Sequence, residues 1–219
     1  MSGREAILGR LRKTASGDGR ESAVAARLKN TPTGVIPARG QLPPKDRMAL
    51  FVDIAKKMSA SVEMVKTADG VPKAVSAYLR SKNLPHAVRM GEDNRLSAMP
   101  WAKEKALELR FGASDGHDEA CVSHAFAAIA ETGTLALVSG ADNPVTLNFL
   151  PEHHIVVVSA ADMEGDMEAV LARLKKATSK KGLPRTLNLI TGPSRSGDIE
   201  QTIILGAHGP RALHIIVTS

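Results

Sequence analysis

The residues best able to do chemistry in this chain gather in one short stretch. A strand-like run, Leu187 to Ile190, leads into Thr191, Gly192, Pro193, Ser194, Arg195, Ser196, Gly197 and Asp198, and a helix is expected from Asp198 to Leu205. Each of these residue types suits an anion. Glycine at 192 and 197 permits tight turns and close approach to the backbone. The first turn of a helix offers unpaired N–H groups and the positive end of its dipole. Arg195 supplies a charged fork, and Ser194 and Ser196 supply hydroxyls. Asp198 with Gln201 three residues on has the spacing of a capping box, so the same pattern also serves a plain capped helix. The loop is neither a P-loop nor a dinucleotide fingerprint, because Gly-Lys-Ser/Thr and Gly-x-Gly-x-x-Gly are both missing. A position at the carboxyl end of a strand in an open parallel sheet favours ligand binding. Beyond the expected helix, Gly206 to Arg211 turn the chain back. His208 there can act as an acid, a base or a hydrogen-bond donor, and Arg211 can neutralise a carboxylate.

A second glycine turn lies at Glu131-Thr132-Gly133-Thr134. Its hydroxyls and backbone N–H groups converge, and Glu131 has the chemistry of a base or nucleophile, or of a polar residue bonding local backbone. His153 and His154 are neighbours at the start of a strand, so they point to opposite faces and do not readily share one metal. Cys121 is the single cysteine. It permits no disulfide within the chain and no iron–sulfur cluster or cysteine-rich zinc site, and a small buried hydrophobe is its expected role. No Ser-His-Asp order or carboxylate pair stands out.

These residues need a scaffold, and the apolar periodicity outlines one. Helices are expected at Arg4 to Lys13, Glu21 to Asn30, Pro43 to Met58, Pro72 to Ser81 and Asp162 to Ala177. Strands are expected at Ser61 to Val65, His86 to Met90, Ala106 to Phe111, Thr134 to Ser139, Ile155 to Ser159, Thr186 to Ile190 and Leu213 to Val217. Residues Gly91 to Met99 read as irregular, and Ala120 to Ile129 are ambiguous between strand and helix. Short, fully apolar strands alternating with amphipathic helices indicate βαβ units, hence an α/β fold with a largely parallel sheet flanked by helices. The first helix is basic and amphipathic. It reads as an arm that packs on its own fold or on a neighbouring subunit of a homo-oligomer.

Composition narrows the function classes. Apolar residues make up 43% and charged residues 24% of the 219, as in an ordinary globular protein. Aromatics at 3% leave the core to Ala, Val, Ile and Leu and provide few stacking platforms for single strands. The net charge of +6 reflects either a solvated basic surface or attraction to an anionic ligand or acidic partner. Without a long Lys/Arg run or a recognition motif, nucleic acid is not an expected partner. The N-terminus lacks the apolar core of a signal peptide and no apolar run is long enough for a bilayer, so the cytoplasm is the expected compartment.

Four motifs in order carry a family resemblance: residues 128 to 135 (AIAETGTL), 150 to 158 (LPEHHIVVV), 191 to 202 (TGPSRSGDIEQT), and 206 to 211 (GAHGPR) with Leu213-His-Ile-Ile. Together they resemble the LUD-domain family, in its lactate-utilisation protein C branch. The resemblance is strong in the second half and holds only in outline in the first. It implies a basic helical arm and linker over 1–45 and a LUD α/β domain over 46–219. It also implies a fold like that of the ribose-phosphate isomerase, glucosamine-phosphate deaminase and CoA-transferase superfamily. The implied role is in oxidation of L-lactate to pyruvate, beside two iron–sulfur proteins that carry the clusters this chain does not. Superfamily relatives bind phosphates, CoA or carboxylates at loops placed like Thr132 to Thr134 and Gly192 to Asp198, and Glu131 resembles the setting of a CoA-transferase nucleophile. Three functions are therefore expected to compete. They are a non-redox subunit of a lactate-oxidising system, a stand-alone enzyme on CoA esters or sugar phosphates, and a carboxylate-sensing regulator. Whether the chain is itself an enzyme stays open at this point.

Overall fold

The computed structural model describes residues 2–15, 20–30, 34–180, 182–197 and 202–219. The chain divides into two compact units, Met1–Val35 and Ile36–Ser219. The first holds helices α1 (Gly3–Ala15) and α2 (Arg20–Lys29). Ser2 starts α1 as a capping box, its hydroxyl accepting from the Glu5 N–H while Glu5 accepts from the Ser2 N–H at 2.8 Å. The Arg20 guanidinium donates to the Thr14 carbonyl at the end of α1.

The larger unit opens with α3 (Pro44–Lys57), β1 (Ser61–Val65), α4 (Val71–Ser81) and β2 (Ala87–Met90). Short α5 (Asn94–Ser97), β3 (Glu108–Phe111), β4 (Ala120–His124), β5 (Ala127–Ile129) and β6 (Thr134–Val138) follow. Next come β7 (His153–Ser159), β8 (Met163–Glu164), α6 (Met167–Thr178), β9 (Leu187–Ile190), β10 (Arg195–Ser196), β11 (Ile204–Leu205) and β12 (Ala212–Thr218). Six strands form one sheet in the order β1-β12-β7-β4-β2-β3, parallel throughout. This is the largely parallel α/β sheet expected from the apolar strand runs.

The central strands are buried on both faces, and alternation divides their side chains. Ile155, Val157 and Ile216 join Val71, Val75 and Leu79 of α4, with Trp101 and Met90, in one core. Val156, Val158, Ile215 and Val217 face the other way, onto Phe51 and Ala55 of α3. That second core is shared with a four-stranded sheet, β8-β5-β6-β9, in which β6 runs antiparallel to both β5 and β9. Val170 of α6 closes the outer face of this sheet on Ala127, Ile129 and Ala136. One buried ion pair ties the edge of the parallel sheet. Asp118 accepts from Arg89 at 2.9 Å and from the Ser114 hydroxyl at 2.8 Å. Asp118→Ala removes a buried acceptor of two donors, one charged, and is expected to lower stability by about 2–3 kcal/mol, read as a lower urea midpoint.

The structure departs from the sequence expectations in four elements. The stretch 120–129 is two strands, and Gly91 to Met99 includes α5, capped by Asp93. The sixth helix begins at Met167 rather than Asp162. Met163–Glu164 pairs with β5, and the Asp166 carboxylate caps the helix by accepting from the Ala169 N–H at 2.8 Å. Met163 reaches the core from a strand, so its i,i+4 spacing to Met167 imitated a helical stripe. Finally, Ile204–Leu205, the end of the helix expected from Asp198, is a strand paired antiparallel with Arg195–Ser196. The capping-box residues 198–201 lie outside the described residues.

Candidate functional site

A cavity of about 270 Å3 opens beside the loop after β9. Leu189 and Ile190 with Thr191 to Arg195 form one wall, His208, Gly209 and Pro210 a second, and Asn148, Phe149, His154 and Leu213 the remainder. The loop is held to the turn opposite by two backbone bonds: the Ser194 N–H donates to the Pro210 carbonyl at 2.8 Å, and the Gly206 N–H to the Ser194 carbonyl at 3.0 Å. Arg195 donates through Nη2 to the Met58 carbonyl, the C-terminal cap of α3, where the helix dipole favours a cation. Its side chain is exposed, and the guanidinium keeps further N–H donors for a ligand. Among the described residues no carboxylate pairs with it.

The expected placement at the carboxyl end of a parallel strand is corrected here. The loop follows β9, which lies in the mixed sheet. His154 and Leu213 are second residues of β7 and β12, so the cavity sits at the amino ends of these parallel strands.

A neighbouring cavity of about 540 Å3 is lined by Glu131, Thr132, Thr134, Arg39, Lys57, Met167 and, in common with the first, Leu189 and Thr191. The glycine-turn hydroxyls reach across to the loop: Thr132 Oγ1 lies 2.7 Å from Thr134 Oγ1, which lies 2.6 Å from Thr191 Oγ1. Glu131 accepts from the Met167 N–H at 3.3 Å, and its other oxygen is buried with no hydrogen-bond partner among the described residues.

The structure thus brings Thr191 to Arg195 together with His208, and joins Thr132 and Thr134 to them through Thr191. Gly133 lines neither cavity. It has φ +64°, and a Cβ there would stand 2.7 Å from the Ala55 nitrogen, so its smallness serves packing on α3. Gly192 serves the same helix end, with φ +70° and the Met58 carbonyl oxygen 2.1 Å from where a Cβ would stand. Ser196 is buried in β10, Gly197 is exposed beyond the cavity lining, and Asp198 lies outside the described residues. Arg211 is paired with Glu152 at 3.0 Å, away from the cavity.

Two lining residues, Asn148 and His154, were not singled out from sequence as ligand contacts. His154 Nε2 lies 3.0 Å from the Ser123 hydroxyl, and burial pushes its pKa down to about 3, so the ring is neutral at pH 7. Its neighbour His153 points to the opposite face, its Nδ1 2.9 Å from the Tyr78 hydroxyl. Cys121 is fully buried and donates to the Leu147 carbonyl, and burial pushes its thiol pKa up, as suits an inert core residue.

Comparison with known proteins places this architecture. A solved structure described as a DUF162 family protein from Deinococcus radiodurans superposes with a TM-score of 0.61 at 21% identity, covering 81% of this chain and 99% of that one. Proteins named lactate utilization protein C are similar in sequence. The one from Halalkalibacterium halodurans is 38% identical over 91 residues, 41% of this chain and 40% of the relative. The one from Geobacillus kaustophilus is 38% identical over 108 residues, 48% of this chain and 45% of the relative. The matched region is therefore less than half the length of these relatives. The family model for the LUD domain matches residues 48–218, from the second turn of α3 to the end of β12, and so takes in both sheets, the whole lining of the first cavity and all of the second but Arg39. On that match the chain belongs to the LUD domain family.

Proposed function

We propose that this chain is a small-anion-binding component of an L-lactate utilisation system, working beside iron–sulfur proteins that take the electrons. The observation that carries the reading is the first cavity. It joins an exposed guanidinium without a carboxylate partner among the described residues to the Ser194 and Thr191 hydroxyls and His208. At about 270 Å3 it lies just below the usual range for drug-sized ligands, which favours a short organic acid or inorganic anion over a CoA ester. The names of the similar proteins favour lactate metabolism. Oxidising lactate to pyruvate removes two electrons, and side chains alone do not accept them. The one thiol, Cys121, is buried and engaged with backbone. The redox centre is then borrowed, and this chain binds and presents the acid.

The test is thermal stabilisation of the full chain by L-lactate, pyruvate and phosphate, with and without Arg195→Ala. A ligand at a hundredfold its Kd stabilises by about 2.7 kcal/mol. The expected outcome is a rise in Tm with at least one carboxylate, lost or shifted to about tenfold higher concentration in Arg195→Ala. No stabilisation by any of the three would sink the reading. A second reading has its own observation. The unpartnered Glu131 oxygen beside a cavity of about 540 Å3 fits a stand-alone enzyme on CoA esters or sugar phosphates. That reading expects turnover by the purified chain on such substrates, abolished in Glu131→Gln.

A further inference from the structure

The first cavity has a polar floor that the anion does not explain. Asn148 is 4% and His154 is 1% exposed, and both line the cavity. Each carries a buried polar atom, Asn148 Oδ1 and His154 Nδ1, with no hydrogen-bond partner among the described residues. Leaving such an atom unsatisfied destabilises a fold, so two on residues that line one cavity call for an explanation. Apolar residues stand next to them: Leu213 is 3% exposed, and Leu147, next to Asn148, is fully buried. An apolar pair would complete that wall without the penalty.

We infer that Asn148 and His154 are the specificity-determining pair of this cavity, binding an uncharged oxygen of the ligand while Arg195 and its neighbours take the charge. The inference rests on the reading of the cavity as an anion site and adds to it the chemistry of the rest of the ligand. The neutral ring of His154 offers Nδ1 as one donor or one acceptor, according to which tautomer its Ser123 contact selects. The Asn148 amide offers both a donor and an acceptor, and which end faces the cavity can exchange by rotation. A ligand hydroxyl, donor and acceptor at once, can satisfy both residues in either arrangement. A carbonyl can satisfy both when each presents an N–H. A bare methylene satisfies neither and leaves both desolvated. The ligand class is therefore a short acid carrying a second oxygen, as hydroxyl or carbonyl.

The experiment measures binding of L-lactate, pyruvate and propionate to the full chain by calorimetry. The wild type is expected to prefer at least one of the oxygenated acids to propionate by tenfold or more, since a site built to bond an oxygen rejects the analogue lacking it. In Asn148→Leu that preference is expected to fall toward one, with propionate affinity kept. The unliganded Asn148→Leu protein is also expected to melt higher than wild type, because an unsatisfied buried group is replaced by an apolar one of similar size. His154→Gln, which keeps a polar atom in place, is expected to retain part of the preference. Equal affinity of the wild type for propionate and both oxygenated acids overturns the inference while leaving the anion site standing. Unchanged preference in Asn148→Leu also overturns it. Absence of binding by all three acids overturns both readings together.

Discussion

Gly192→Ala is expected to cost about 3 kcal/mol of stability and to disable the loop that carries Arg195. Gly192 sits at φ +70°, and an added Cβ would stand 2.1 Å from the Met58 carbonyl oxygen and 2.9 Å from Arg195 Nη2. The left-handed backbone alone costs an L-residue about 1–2 kcal/mol. Overpacking against a backbone atom adds about 1–3 kcal/mol, because a carbonyl at a helix end cannot swing aside like a flexible side chain. The two effects act on one contact, the seat of the loop on the end of α3. Relief of the clash separates Gly192 from Met58, and Arg195 loses its bond to the same carbonyl. Gly116→Ala isolates the backbone component. Gly116 has φ +95° with nothing within 4 Å of its would-be Cβ, so it should lose only about 1–2 kcal/mol. Urea unfolding of both variants checks this, and equal losses would show that the Met58 contact contributes nothing. Gly192→Ala should also bind small carboxylates more weakly than wild type, whereas Gly116→Ala should bind them normally.

Acid should unfold this protein well above the pH at which carboxylates titrate. Burial pushes the pKa of His154 down to about 3 and that of His214 down to about 4, and it also lowers those of His124 and His153. A histidine with a depressed folded-state pKa stays neutral in the native protein while its unfolded counterpart protonates near pH 6.5. The unfolded chain then binds more protons, so stability is full above pH 6.5 and is lost as pH falls toward the folded-state pKa. Each such ring loses about 1.4 kcal/mol per pH unit in that window, so two rings over two units lose about 5 kcal/mol. That is comparable with the entire stability of many domains. The urea midpoint should therefore fall steeply between pH 6.5 and pH 4.5. A midpoint flat over this range would contradict it, and His214→Gln should reduce the slope. The surroundings of His214 show why the ring is held neutral. It stacks on Tyr78 at 4.2 Å between centroids, with Nδ1 2.8 Å from the Ser61 hydroxyl, inside the sheet between β1 and β7. Glu63 lies 3.7 Å from Nε2, too long for a hydrogen bond that would offset desolvation.

Much of this scaffold follows from local pattern. Strands buried on both faces need apolar side chains at every position, so Ile155 to Val158 and Leu213 to Val217 declare themselves without knowledge of their partners. The turn residues and the motif order likewise pointed to the family and to the loop at Thr191. Other features depend on partners far along the chain. The second sheet pairs Leu135 with Ile190, and nothing local to either residue distinguishes an antiparallel neighbour from a parallel one. The two glycines at 133 and 192 look like ligand cradles in sequence because glycine marks close approach of any kind. The approaching group is the end of α3, more than seventy residues before either.

The site divides along the same line. Residue types and spacing alone were enough to give an anion its counter-charge and hydroxyls, because Thr191, Gly192, Ser194 and Arg195 lie within five residues of one another in the chain. Which of them share a cavity required the fold. The backbone bonds of Ser194 to the 206–210 turn bring His208 in, while Arg211 is drawn off by Glu152. The floor required it too. Asn148 and His154 look unremarkable in sequence, one in a short turn and one in a histidine pair. An unsatisfied buried atom is defined by everything around it, and those surroundings come from β4, β7 and β12 of the parallel sheet and β9 of the second sheet. The loop after β9 is thus an anion-binding candidate by its composition, and a candidate for a particular kind of acid by what the fold sets beneath it.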